Sequence, residues 1–349
     1  MTEAAAPSLS APPTHRPIFE QALYRASSLG IWGTTLAIFL ILLASFAVAL
    51  AADRYAPFLN NDHGWSLRPG VWPGCVLSLL IALALGMQRY VRSRDRADEA
   101  DLRAVLPECR EYELRTYSAE GQRQLRWATI FGVLAGAAPT LVAVPRALIT
   151  THPAMYFWFA VVDSLVGALF ARGIVQSGRG TRNWAYGIEH GLTIDLLRID
   201  SLSVIGRHGA RNALIWFSVA AVIFLFLIGN NMDAATFVIL LLAAAMGIWI
   251  FLSPMQLVHR RIRAAKQVEL ESIRREIQRA RAQAPQDPAA AAKLQGLLAY
   301  ETRIETVREW PFDQPTALRV GAYVLIPAIP WFGQAIAGYF VANFVHFRI

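Results

Sequence analysis

Blocks of about twenty residues with almost no charge dominate the sequence, and that length crosses roughly 30 Å of hydrocarbon. A backbone inside lipid has no water to bond, so each block has to close its own hydrogen bonds as a helix. Six blocks are uninterrupted: 30–51, 71–88, 127–145, 153–171, 212–229 and 234–253. A seventh, 320–345, is broken near its middle by Pro327 and Pro330. The pattern predicts an all-α integral membrane protein with seven transmembrane helices, the last one Pro-broken, and a cytoplasmic helical hairpin.

The basic residues set an orientation. The chain has 33 Arg and Lys, of which only Lys266 and Lys293 are Lys. With the amino terminus inside, the outer segments hold Arg54, Arg68, Arg146 and Arg348, which leaves 29 for the cytoplasmic side. That asymmetry follows the positive-inside rule. The formal net charge of +8 would also suit nucleic acid. Its placement beside apolar spans instead predicts a lipid bilayer with anionic headgroups as the partner, and no nucleic acid. Ala47, Val48 and Ala49 resemble a signal-peptidase site, but 22 uncharged residues exceed a signal's usual core of roughly 7–15. A retained first helix is expected. Cys75 falls at the outer end of a span and Cys109 in a cytoplasmic loop, so no intrachain disulfide is expected.

The order of segments divides the chain into four parts. Residues 1–29, rich in Ala, Pro and Ser, read as a flexible cytoplasmic tail, with a short interfacial helix a candidate at 18–29. Residues 30–253 form a six-helix transmembrane bundle with cytoplasmic loops 89–126 and 172–211. The first loop predicts short helices broken at Pro107 and Gly121. The second is glycine-rich, and its stretch 192–199 fits either an interfacial helix or an extended loop. Residues 254–319 form a helical hairpin broken around Pro285 and Pro288, and 320–349 the Pro-broken last helix. In the hairpin, Ile262, Leu270, Ile273 and Ile277, then Leu294 and Leu298, recur at helical spacing between charged residues. That narrow stripe suits coiled-coil contact. It serves either packing of the arms on each other or docking of a protein partner or second copy.

No motif for phosphate, dinucleotide or zinc chemistry occurs, and no nucleophile elbow. No catalytic residue, metal or cofactor is expected, so the chain reads as a non-enzyme. Asp163, in the middle of the fourth block, is the sharpest single signal. An ionised Asp at the bilayer centre costs about 2.5–3.5 kcal/mol on insertion scales, so it has to face the bundle or a wet cavity. It reads either as an ion or proton site or as a hydrogen-bonding group between helices, with Thr140, Thr34 or Thr35 as partner. Gln334 and Asn343 follow the proline break and join Asp163 and Thr140 as candidates. Gly132 and Gly136 form a GxxxG pair that lets another helix approach closely.

The carboxyl-terminal sequence Glu309, Trp310, Pro311, Phe312, Asp313, followed by Arg319, by Tyr323 to Pro327 and by Trp331 to Gly333, carries a resemblance. It resembles the end of a group of uncharacterised bacterial multi-pass inner-membrane proteins, in which a charged helical segment precedes the same tail. Residues 206–214 carry an echo of it. The resemblance implies a bacterial inner (plasma) membrane location and transfers no functional residues. The expected role is a membrane anchor, scaffold or signalling subunit that docks a partner through the hairpin. The alternative is a channel or transporter for an ion or small solute, using Asp163 and the broken last helix.

Overall fold

A computed structural model describes residues 27–61, 64–68, 70–106, 119–227, 234–283, 285, 288–311 and 314–326. The tail 1–26, the expected turn at 230–233, and Pro327, Pro330, Gln334 and Asn343 lie outside the described residues. The described chain is helical apart from one short β hairpin. The helices are α1 (Gly30–Ala52), α2 (Val71–Ala97), α3 (Glu99–Val105), α4 (Ala119–Ala138), α5 (Arg146–Thr151) and α6 (Pro153–Gly191). They continue with α7 (Ser203–Phe224), α8 (Ala234–Gln283), α9 (Pro288–Glu305) and α10 (Gln314–Leu325). The hairpin pairs β1 (Phe58–Asn61) with antiparallel β2 (Gly64–Leu67) between α1 and α2.

Among the described residues, five helices are long and apolar enough to cross a membrane: α1, α2, α4 with the turn after it, α6 and α8. The protein is therefore membrane-embedded. α7, which covers most of the expected span 212–229, is not among the five, and Arg207 and Arg211 occupy its first turns.

Several helices run on past their apolar blocks. α2 extends to Ala97, and Gly121 lies inside α4 rather than at a break. The expected glycine-rich loop from Arg172 is also mostly helix, because α6 continues unbroken for 39 residues to Gly191. At 1.5 Å per residue it is about 58 Å long, close to twice the hydrocarbon thickness. Its last turns stay folded because Trp184, Gly187 and Ile188 are buried. Of the two readings of 192–199, the extended one holds: the chain leaves α6 without helix, and both the amide and the hydroxyl of Thr193 donate to the Val105 carbonyl, at 3.3 and 3.1 Å. A 3-10 turn, Ile199–Leu202, then opens α7.

Three clusters hold the helices together. At one end of the bundle, Phe46, Leu50, Ile81, Met155 and Trp158 join α1, α2 and α6. Phe46 and Trp158 stack with ring centroids 4.5 Å apart, and Trp158 Nε1 donates to Ser45 Oγ at 2.9 Å. Above them Asp53, just past α1, serves as a cap for α6. Its carboxylate oxygens accept from the amides of Ala154 and Met155, at 3.1 and 2.7 Å. A carboxylate satisfies those orphan donors and meets the positive end of the helix. Beside it the Tyr55 ring meets His152 edge-on at 4.9 Å, with the Arg68 guanidinium over its other side. Burial pushes the Tyr55 hydroxyl up, and Arg68 opposes that rise. In mid-bundle, Trp216, Ala220, Ile223 and Ala243 join α7 to α8 and α2. The third cluster lies beyond the apolar spans, where Leu102, Leu106, Ile188, Ile205, Met255 and Ile262 make a base from α3, α6, α7 and α8.

The Asp53 cap uses residues from opposite ends of a 100-residue interval, so it reports on whether α1 stays docked. Asp53→Ala is expected to destabilise the protein by about 1 kcal/mol, up to ~2. Thermal unfolding of the full chain in nanodiscs measures it, and an unchanged midpoint would contradict the cap.

Candidate functional site

A close helix crossing builds the site. Gly132 and Gly136 on α4 stand against Asp163, Gly167 and Ala168 on α6, backbone against backbone. A Cβ on Gly132 would reach within 2.7 Å of the Ala168 Cα, and one on Gly136 would strike the Asp163 carbonyl. Gly167 returns the contact, because a Cβ there would lie 2.9 Å from the Gly136 Cα. Small residues spaced by four on both helices make this approach possible. The GxxxG pair is thus used inside the chain.

One turn on, α4 changes geometry. Pro139–Ala143 forms a π-helical turn, in which Pro139 lacks an amide donor and the regular ladder has to shift. The wider turn carries Thr140, which is buried, and its hydroxyl donates to Asp163 Oδ2 at 2.7 Å. Thr34 and Thr35, the other sequence candidates, are elsewhere. Thr34 Oγ1 donates to the Gly30 carbonyl at 2.6 Å, and Thr35 packs where a Cβ on Gly86 would be. The Asp163 carboxyl is half-buried between two helices with a hydroxyl donor attached. Such a group can hold or release a proton, or can tie α4 to α6.

The hairpin residues divide differently. α9 turns back on the far half of α8, with Arg274 bridging Glu301 at 2.8 Å and Glu305 at 2.9 Å. Tyr300 donates to Glu269 at 3.1 Å, and burial, then that carboxylate, pushes its phenol up. Lys266 donates to the carbonyls of Glu305 and Val307, at 2.7 and 3.1 Å. His259 stacks on Trp310 at 4.4 Å. Ile262 is wholly buried in the base and Ile273 nearly so, so neither offers a surface to a partner. Leu270, Ile277 and Leu294 are half-buried, and Leu298 is exposed. The chain itself thus buries two residues of the stripe, covers three in part and leaves Leu298 open.

A second polar cluster escaped the sequence reading. Where α2 ends and α7 begins, Arg211 donates to Asp98 at 2.7 Å and to Asp95 at 3.1 Å. His208 Nδ1 lies 3.0 Å from Asp95, with the Trp184 ring over it at 4.3 Å. Arg207 reaches Asp98 and Asp101 at 3.7 and 3.6 Å. A signal was present. Asp95, Asp98 and Asp101 recur every three residues on one helical face, and Arg207 and Arg211 are four apart. What a single sequence lacks is any link between segments more than a hundred residues apart.

Among the described residues no group of three His, Cys, Asp or Glu is placed to hold a metal ion. Compared with protein-family models, curated proteins and solved structures, the chain finds no match.

The Thr140–Asp163 bond invites a double-mutant cycle. Thr140→Val and Asp163→Ala are expected to show a coupling of about 0.6 kcal/mol, and at most ~1.7, the range for hydrogen bonds between membrane helices. Unfolding equilibria of the four proteins in bicelles measure it. Zero coupling would mean the bond does not hold α4 on α6.

Proposed function

We propose that the chain is a non-enzymatic anchor, scaffold or signalling subunit of a bacterial inner membrane, and that it docks a protein partner through the arm formed by α9 and the far half of α8. The observation that carries this reading is the arm's construction. Beyond Ile262, α8 continues for 21 residues, which carries the tip about 30 Å from the base. Such a projection is of little use to the bundle's own stability, since among its described residues only Ile273, Ala280, Ala290 and Ile304 are buried. It is nonetheless braced at its root, by His259 on Trp310 and Lys266 on the carbonyls that end α9. A braced, charged projection with Val268 and Leu298 left exposed fits a surface that another protein grips. The resemblance of the carboxyl-terminal sequence supports the bacterial location.

The same proposal includes seven crossings with the amino terminus and arm in the cytoplasm. The 29-to-4 division of basic residues supports it. α7 and the segment from α10 onward supply the two spans beyond the five, so α8 is the sixth crossing and the arm follows it. Membrane-impermeant maleimide on intact cells tests this in a background of Cys75→Ala and Cys109→Ser. Ala56→Cys, beside the β hairpin, is expected to label, and Arg281→Cys, near the arm tip, only after lysis. The reverse pattern would invert the topology. Photocrosslinkers at positions 268 and 298 in cells are expected to trap one dominant adduct that purification of the full chain retains. Equal yields from a crosslinker at Val142, in the apolar part of α4's turn, would remove the arm as the docking element.

A π-helical turn at the end of the α4 span supports a second reading, since such turns gather at functional sites. In that reading Asp163 and Thr140 serve a channel or transporter, together with Pro327, Pro330, Gln334 and Asn343. Proteoliposome ion flux that Asp163→Asn abolishes would favour transport over scaffolding. Flux equal in both proteins would leave Asp163 as a bond between helices.

A further inference from the structure

We propose that the end of the α4–α6 pair carrying Arg123, Arg126, Arg172 and Arg179 is a binding site for an anionic phospholipid. The inference requires only that the chain sits in a bilayer, and it stands whether the arm docks a partner or not.

The outer face of α4 changes character along its length. Ile130, Phe131 and Leu134 are exposed, at 51%, 70% and 66%, and Trp127 beside them is exposed at 62%. Apolar side chains that exposed on a membrane-embedded helix are covered by acyl chains, and a Trp at their edge marks the headgroup boundary. One turn nearer the amino terminus the same helix presents exposed Arg126 and Arg123. Arg123, Trp127, Ile130 and Leu134 follow helical spacing and so lie along one face.

α6 adds charge at the same depth. Arg172 donates to Thr129 Oγ1 on α4 at 3.2 Å, and Arg179 to Gln124 Oε1 at 2.6 Å. Those two bonds fix the register of α6 against α4 and set both guanidiniums at the depth of the exposed arginines. Residues 172 and 179 are seven apart, which is about 10 Å along the helix, comparable to a headgroup layer. From 119 to 130 and from 167 to 191, five Arg face only Glu120 and Glu189 in formal charge. An Arg fork matches a phosphate bidentately, and clustered basic residues beside a span are the chemistry that selects anionic over zwitterionic lipid.

Two glycines point the same way. Gly178 and Gly180 flank Arg179 inside a continuous helix, and a Cβ at either would meet nothing within 4 Å. Interior glycine weakens a helix, and no neighbour in the chain demands one here. An occupant lying against the backbone beside Arg179 accounts for both. The glycine-rich motif at 177–181 thus serves a phosphodiester from lipid, without the loop and Lys of a nucleotide site.

The experiment uses the full chain in nanodiscs of equal phosphatidylglycerol and phosphatidylcholine, released into native mass spectrometry to count retained lipids. Wild type is expected to retain phosphatidylglycerol preferentially. Arg123→Gln with Arg126→Gln is expected to lower that preference about twenty-five-fold, since each basic residue near a surface contributes roughly a factor of five. Arg279→Gln with Arg281→Gln, on the distant arm, is expected to leave it unchanged. Gly178→Ala is expected to raise the melting temperature in lipid-free detergent while lowering phosphatidylglycerol retention, opposite signs that a purely structural role would not give. Equal retention of both lipids by wild type, or full retention by the α4 double variant, would overturn the proposal. So would displacement of the lipid by millimolar inorganic phosphate, which would make the site one for a free anion.

Discussion

α6 is longer than a bilayer is thick, and its excess length organises the molecule. A helix crossing hydrocarbon needs about twenty residues, and α6 has 39. Within its apolar half it touches α1 through Trp158, α4 through Gly167 and α2 through the cluster around Phe46. Within its polar half it becomes part of the base, where Trp184 and Ile188 are buried against α3, α7 and α8. One continuous element therefore spans two environments held together by different forces. In the first, apolar side chains gain little from leaving lipid, so close backbone approach and polar contacts decide the packing. In the second, water is the alternative, and ordinary burial of Leu, Ile and Val holds the base.

The division explains where the charges went. Arg207, His208 and Arg211 sit opposite Asp95, Asp98 and Asp101 at the level where α2 leaves its apolar block and α7 enters its own. Asp101 stays in contact with water, while Asp95, His208 and Arg211 are largely buried, so their desolvation is offset by mutual pairing, which fixes the register of α2 against α7. Asp163 is the exception, placed at mid-span. Its hydroxyl partner depends on the π-helical turn, and that turn depends on Pro139.

What was legible in the sequence follows the range of the interactions involved. Apolar length is a local property, and it marked α1, α2, α4, α6 and α8. The Thr140–Asp163 contact was legible as well, because 127–145 and 153–171 are joined by a few residues and a short connection leaves two spans antiparallel. The continuation of α6 through Gly173, Gly178, Gly180 and Gly187 was not. Each glycine lowers helix propensity by about 1 kcal/mol, and that local penalty was overridden by burial of Trp184 and Ile188. The Asp95–Arg211 contact was hidden by 116 intervening positions. The stripe from Ile262 to Leu298 was seen correctly as apolar. A stripe, however, does not say what covers it: the base buries Ile262, Ile273 is buried as well, and Leu298 stays exposed.

The base also determines what the arm can transmit. Pro254 lies inside α8, where the missing amide and the ring's clash with the preceding turn favour a bend. A bend alone would isolate the arm from the membrane. Here it is flanked by Phe251, Met255 and Val258, all buried among residues of α3, α6 and α7. Packed cores are bistable rather than continuously deformable, so motion of the arm's root has to move those helices or be resisted by them. α7 carries Arg211 and α6 carries Asp163, which places both polar clusters on helices the arm's root touches directly. A partner that moved the arm's root would therefore act on the bundle by direct contact, without a relay through loops.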